Sequence, residues 1–196
     1  MDDMIRKAPL FSALDDEAAG ALRRSMAEIN LGRGQVLFRE GDAGDKLYVV
    51  ADGKVKLGRT SSDGRENLLA ILGPGEMFGE LSLFDPGPRT ATATAVTDTQ
   101  IFALGHTELT TWVSGRPEVA LSLLKQISSR LRRTNEVIGD LVFSDVPGRV
   151  AKALLDLSSR FGVQSDDGVH VGHDLTQEEL AQLVGASRET VNKALA

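Results

Sequence analysis

GELSLFDPGPRTAT, residues 79–92, gathers a carboxylate, a guanidinium, several hydroxyls and the turn-forming residues Pro86, Gly87 and Pro88 into one short segment. Gly79 has no Cβ, so its backbone can come close to a ligand, and the N–H groups of the turn that follows can point at an anion. Pro86 and Pro88 fix φ on either side of Gly87, so Arg89 leaves a stiff turn. A guanidinium held this way suits bidentate contact with phosphate oxygens. Two readings stand. The segment is a cradle for a phosphodiester, with Glu80 accepting a sugar hydroxyl and pairing with Arg89, or it is a Gly/Pro-rich β-turn with a surface salt bridge.

The segment closes a stretch of strand-like texture. From Glu28 to Leu104 short apolar runs follow one another: VLF, LYVV, VKLG, LLAIL, ATATAV and QIFAL. Glycines at 32, 34, 41, 44, 53, 64, 73, 75 and 79 punctuate them. Many short strands with such spacing predict a β-sandwich or barrel. The Asp-Gly pairs at 52–53 and 63–64 predict hairpin turns. Residues 1–27 read as helix in two pieces around LFSALDDEA, with Ala18, Ala21, Leu22 and Ser25 or Met26 as the buried stripe.

Beyond Gly105 the texture turns helical. Thr107–Ser114 reads as a short helix, and a long one of about 26 residues starts near Pro117, spanning about 39 Å. Leu124, Ile127, Leu131, Thr134, Ile138 and Leu141 recur at spacings of three and four, an a/d seam of nearly three heptads. Either this helix packs on the sandwich, or it forms a homodimer coiled coil, the reading favoured by its otherwise polar faces. Thr134 and the adjacent Asn135 are polar at that seam, which a ligand shared between subunits would explain.

SDVPG, residues 144–148, reads as a hinge because Pro147 disfavours helix at Val146. A helix over 149–161 and a small strand pair around Asp166–Gly168 follow. In the final LTQEELAQLVGASRETVNKALA, Thr176 and Glu179 form a capping box, Gly185 ends one helix and Ser187 caps the next. Ala181, Gly185 and Val191 have the spacing of a helix-turn-helix. Arg188, Glu189, Asn192 and Lys193 would then share the outer face of the second helix, with chemistry suited to base edges and phosphates. The alternative is an αα-hairpin with a solvated face.

Composition narrows the function. The 196 residues are 41% hydrophobic and 26% charged, as in globular proteins, and no run approaches the roughly 20 apolar residues of a membrane span. With an N-terminus unlike a signal peptide, a cytoplasmic location and no membrane partner are expected. Zero cysteines exclude disulfides, thiolate zinc and iron–sulfur clusters, and His106, His170 and His173 make no recognisable metal pattern. The net charge of −6 argues against a basic coat for nucleic acid, though not against a local reading head. No nucleophile–base pair or Walker loop is present, so an enzyme is not expected.

Together these motifs resemble the cyclic-AMP receptor protein (catabolite activator) family of bacterial transcription factors, with wording most similar to its actinobacterial members. The resemblance rests on Gly79-Glu80-Leu81-Ser82 with Arg89-Thr90, on Thr134-Asn135 in RLRRTN, and on SRETV at 187–191. It covers essentially the whole chain. It implies an α+β protein: a β jelly-roll (double-stranded β-helix) cyclic-nucleotide-binding domain over 1–116, a dimerisation helix over 117–143, a hinge at 144–148, and a winged-type helix-turn-helix over 149–196.

The resemblance also implies roles. Glu80 would bind the ribose 2′-OH of cyclic AMP and Arg89 its phosphate, with Gly79, Leu81, Ser82 and Thr90 completing the cradle. Thr134 would meet the adenine amino group, and Asn135 would reach across from the second subunit; the best-studied members carry Ser at the position of Asn135. Arg188 and Glu189 would read bases, Lys193 stands where Arg is frequent, and Thr176, Ser187 and Thr190 would touch phosphates. The implied partners are double-stranded DNA, a second copy of the chain and RNA polymerase, with no metal. The 196 residues end within the recognition helix, before the family's wing, and a fragment of this extent is expected to bind DNA weakly. The open alternatives are a regulator of the same fold that is ligand-independent or senses another nucleotide, and a nucleotide-binding module acting on a protein partner.

Overall fold

A computed structural model of the chain describes Ala8, residues 14–85 and residues 87–196. The first of the two N-terminal helical pieces, and Pro86, lie outside these. The described residues divide into two compact units: those up to Arg59 with Ile71–Arg130, and Thr60–Ala70 with Leu131–Ala196.

Eight strands, β1 (Ala27–Leu31), β2 (Val36–Phe38), β3 (Lys46–Asp52), β4 (Val55–Thr60), β5 (Glu66–Leu72), β6 (Met77–Phe78), β7 (Thr92–Ala95) and β8 (Thr99–Gly105), lie in the first unit apart from Thr60 and residues 66–70. They form two four-stranded sheets, ordered β1-β8-β3-β6 and β2-β7-β4-β5. All six apolar runs are strands. The short β1 and β6, which carry no comparable run, were not foreseen. β3 pairs antiparallel with β8, bringing Leu47 opposite Leu104 and Val49 opposite Phe102. Because side chains alternate across a sheet, LYVV and IFAL bury residues on both faces.

On one face Leu47, Val49, Ala51, Phe102 and Leu104 form a core with helical residues. These come from α1 (Asp16–Ser25), α3 (His106–Gly115) and α4 (Pro117–Phe143). Asp15 caps α1 by accepting from the Ala18 amide, and Ala18, Ala19 and Leu22 are its buried side chains. Ala19 thus takes the place expected of Ala21, and Met26, not Ser25, is buried. On the other face Tyr48 and Phe78 stack at 5.3 Å between centroids, and Phe38 of the second sheet lies 5.7 Å from Tyr48.

The 27-residue α4 is about 40 Å long at 1.5 Å per residue. Val119, Ser122 and Leu123 are its buried residues. The a/d row points elsewhere: Leu124, Leu131, Ile138 and Leu141 are each half or more exposed, at 50–59%. The first turns of the helix pack on the sandwich, as the first reading expected, and the a/d row stands exposed in the single chain.

The second unit contains α5 (Val146–Phe161), the antiparallel hairpin β9 (Gly162–Ser165) and β10 (Gly168–Val171), α6 (Gln177–Val184) and α7 (Arg188–Leu195). The helix expected from residue 149 begins at Val146. Asp145 caps it by accepting from the Gly148 amide, and Pro147 sits in the first turn, where its missing N–H costs nothing. Only Ser144 and Asp145 separate it from α4. Val150, Leu157, Leu180, Ala181, Val184 and Val191 are buried where α5, α6 and α7 pack together. Arg149 secures the arrangement, donating to the carbonyls of Ser144 at 2.9 Å, Val184 at 2.9 Å and Gly185 at 3.3 Å.

The turn between α6 and α7 depends on Gly185, which adopts φ 65° and ψ 46°. A Cβ there would also lie 3.1 Å from Leu141 Cδ2. Gly185→Ala is expected to destabilise the chain by about 1–2 kcal/mol, the cost of a left-handed alanine. A urea titration followed by circular dichroism measures this, and an unchanged midpoint would contradict the account.

Candidate ligand and DNA-binding sites

Glu80 and Arg89 are buried at 2% and 4% exposure, among the five buried polar or charged residues of the described chain. β6 delivers the backbone to Gly79, whose φ of 79° turns it into the short helix α2 (Leu81–Phe84). A Cβ on Gly79 would sit 2.8 Å from Arg89 Nη1 and 3.1 Å from the Lys46 carbonyl oxygen, so glycine is required by both conformation and space.

Arg89 is fixed at both ends. Its amide donates to the Asp42 carbonyl and its carbonyl accepts from the Gly41 amide, both at 2.8 Å, and Ala43 bridges Pro88. Its Nη1 donates to the Gly79 carbonyl at 2.7 Å. The guanidinium lies over the Phe38 ring at 4.4 Å and near that of Tyr48 at 5.5 Å, an aromatic floor that holds a cation by its π face. Burial pushes the Tyr48 phenol above its ordinary pKa, against the opposing pull of Arg89. Arg89 Nε is buried with no partner.

Glu80 does not pair with Arg89, as the sequence reading expected. Its Oε1 accepts from Arg130 Nη1 at 2.5 Å, and Arg130 Nη2 donates to the Met77 carbonyl at 2.7 Å. The reason is that Arg89 is already committed to Gly79 O, which leaves the carboxylate to the cation that α4 presents. Glu80 Oε2 is buried without a partner. The segment therefore offers one orphaned acceptor and one orphaned donor, each on a side chain almost wholly buried, which in a native fold calls for a partner not in the chain.

Gly79, Glu80, Leu81, Ser82, Arg89 and Thr90 thus fall in one place in the first unit. Ser82 is buried, while Leu81 and Thr90 are exposed. Thr134 and Asn135 are exposed residues of α4 in the second unit. Thr134 follows Arg130 by four residues and so shares its helix face. Arg130 was missed because RLRRTN reads as a solvated arginine run; its spacing from Thr134 was the available signal. The strap over residues 41–45 carried no comparable signal.

In the second unit Ser187, Arg188, Glu189, Thr190 and Lys193 cluster on α7, all exposed, and Thr176 opens α6. Thr176 and Glu179 form the expected capping box. Ser187 caps α7 by accepting from the Thr190 amide, and its hydroxyl meets that of Thr190 at 2.9 Å. Lys193 pairs with Glu189 at 2.8 Å, as the i, i+4 spacing requires. Asn192 departs from the expected outer face: it is half-buried, and its Oδ1 is buried without a partner.

An eight-stranded sandwich with a charged, half-satisfied cradle, followed by a long helix and a helix-turn-helix, defines a ligand-sensing DNA-binding regulator. Residues 28–114 match the cyclic nucleotide-binding domain family and residues 148–196 the Crp-like helix-turn-helix domain family. The chain is 53% identical over 196 residues to the CRP-like cAMP-activated global transcriptional regulator of Mycobacterium tuberculosis, covering 100% of this chain and 88% of that protein. Among solved structures it resembles the Thermus thermophilus catabolite activator protein, with 38% identity, a TM-score of 0.64, and 96% of this chain and 85% of that one covered. It also resembles the N-terminal domain of a transcriptional regulator from Streptomyces coelicolor, with 61% identity, a TM-score of 0.57, and 68% and 95% covered. The chain belongs to the Crp/FNR family, whose members are transcription factors and not enzymes.

Removing Arg130 would leave Glu80 a buried charge with one partner fewer. Arg130→Ala is expected to cost about 1–3 kcal/mol, less than for a fully buried pair because the Arg130 side chain is 35% exposed. Adding Glu80→Gln should recover part of that loss, since a neutral amide needs no counter-ion. Chemical denaturation of the two variants reads both effects, and a double variant less stable than the single would refute the pairing.

Proposed function

We propose that this chain is a cyclic-AMP-responsive homodimeric regulator that binds palindromic DNA. The observation that carries the proposal is the pair of buried, unpartnered atoms in the cradle: Glu80 Oε2 can only accept and Arg89 Nε can only donate. A ribose hydroxyl and a cyclic phosphate on one ligand match that pair. Glu80 takes the 2′-OH and Arg89 the phosphate, with Gly79, Leu81, Ser82 and Thr90 lining the cradle. The base is assigned to Thr134, with Asn135 reaching from the second subunit. The similarity to the Mycobacterium tuberculosis regulator, described as cAMP-activated, supports this ligand.

The homodimer is assigned to α4, whose leucine and isoleucine row is half or more exposed. A boundary after residue 116, a dimerisation helix over 117–143, a hinge at 144–148 and a DNA-binding domain from 149 complete the organisation. Arg188 and Glu189 read bases, Thr176, Ser187 and Thr190 contact phosphates, and Lys193 lies exposed on the same helix as Arg188 and Glu189. RNA polymerase is the further partner, in the cytoplasm. The nucleotide acts by its differential affinity for two arrangements of the DNA-binding domains, typically worth 1–3 kcal/mol. Arg130 supplies the first link, because the same residue neutralises Glu80 and belongs to the dimer helix.

Calorimetry with cyclic AMP and cyclic GMP tests the ligand. Cyclic AMP should bind more tightly, and Arg89→Ala should weaken it about 10- to 100-fold, the loss of a charge-assisted hydrogen bond. Absence of cyclic AMP binding refutes the proposal. For DNA, cyclic AMP should raise affinity for a palindromic duplex, and Arg188→Ala should lower it by about 1–3 kcal/mol at the base pair it reads. Equal DNA affinity with and without nucleotide would refute the coupling.

A further inference from the structure

We propose that Gly44 is a positioning residue of the cradle, and that it shares one volume with Ser82, so that the residue at 44 must lack a side chain while Ser82 keeps its own. The inference rests on the cyclic-nucleotide reading of the cradle and adds a residue and a steric rule to it.

Gly44 lies in the strap between β2 and β3. A Cβ added to it would sit 2.5 Å from Ser82 Cβ, 2.7 Å from Ser82 Oγ and 2.8 Å from Arg89 Nε. Carbon atoms not bonded to each other rest at about 3.5–4.0 Å, so all three contacts are clashes. Backbone conformation is not the reason for this glycine. Gly41 and Gly79 have positive φ and Gly44 does not. Gly41, in the same strap, would meet nothing within 4 Å. Gly44 is therefore selected by space alone.

None of the parties can yield easily. The strap is tied to the Arg89 segment by the two backbone hydrogen bonds of Gly41 and Asp42 and by the Ala43–Pro88 bridge. The Asp42 carboxylate stiffens it further, accepting from the Arg39 amide at 2.7 Å. Ser82 is 6% exposed and its Cβ is anchored directly to α2. Arg89 Nε lies mid-chain, with Nη1 tied to Gly79 O and the guanidinium face on Phe38. Space made for a methyl must come from Ser82 or from Arg89, the two side chains that face the anion. Binding constellations tolerate displacements of only about 0.5 Å.

The test is a double-substitution cycle read by calorimetry with cyclic AMP, well below the unfolding temperature of each ligand-free variant. Gly44→Ala is expected to weaken binding at least about tenfold, because it displaces the anion-facing groups beyond that tolerance. Ser82→Gly alone should cost only a few-fold, about one neutral hydrogen bond at most. Gly44→Ala with Ser82→Gly should recover part of that loss yet stay weaker than Ser82→Gly alone, because it clears the two contacts with Ser82 and leaves the 2.8 Å approach to Arg89 Nε; partial recovery is the sub-additivity expected of residues sharing one space. A role in fold stability alone would lower the unfolding temperature of Gly44→Ala and leave the affinity of the folded protein unchanged.

The inference is overturned if Gly44→Ala binds as the unsubstituted chain does, or if the double variant is no better than Gly44→Ala. Should Gly44→Ala fail to fold, the double variant decides: folding and binding cyclic AMP, even if more weakly than Ser82→Gly, supports the shared volume, and failure to bind overturns it. If the unsubstituted chain does not bind cyclic AMP, or Arg89→Ala does not weaken binding, the cradle reading itself falls and the role of Gly44 with it. Binding by the unsubstituted chain, lost in Arg89→Ala but kept in Gly44→Ala, would remove only the inference made here.

Discussion

Glu80 and Arg89 carry opposite charges, lie nine residues apart and are both buried, yet each is held by something else. Arg89 is spent on a backbone carbonyl and an aromatic floor; Glu80 is neutralised by Arg130 from α4. Had they paired with each other, each would have satisfied the other and the cradle would have had little left to offer a ligand. Keeping them apart leaves one acceptor and one donor open, and desolvation makes those open atoms costly until they are occupied. In the proposed function, that cost is what cyclic AMP relieves on binding.

The arrangement depends on a frame that does not give. β3 and β8 are buried on both faces, with helices on one side and the second sheet on the other, so their register is fixed. β3 carries Tyr48 into the aromatic floor, and its partner β6 runs directly into Gly79. The strap preceding β3 is the part that clasps Arg89. Placement of the guanidinium thus follows from the same strand pairing that forms the core, with no separate scaffold for the site.

Most of this was legible in the sequence where the signal was local. The six apolar runs, the capping box at Thr176 and the Ala181–Gly185–Val191 skeleton are short-range patterns, and each is where it was expected. What escaped was non-local. β6 is two residues long and exists only because β3 offers it an edge. The partner of Glu80 is fifty positions away, on a helix whose arginines look solvated one at a time. The resemblance to a known family placed Glu80 and Arg89 in one cradle, but only the coordinates distinguish which cation neutralises which anion.

The two ends of the chain use their polar side chains in opposite ways. In the cradle, charge is buried and atoms are left open, so a single small ligand has a large effect on a few groups. On α7 the polar groups are exposed and largely occupied with one another: Ser187 with Thr190, and Glu189 with Lys193. Such pairs cost little to break in water, and phosphates or base edges can replace them one for one. A chain of net charge −6 has no general attraction for DNA, so in the proposed function affinity comes from this local exchange and from its duplication in a dimer. On the proposed function, the exposed row on α4 serves DNA recognition as much as the residues of α7 do, because a single recognition helix with weak pairwise contacts gains selectivity only when a second one is held in register with it.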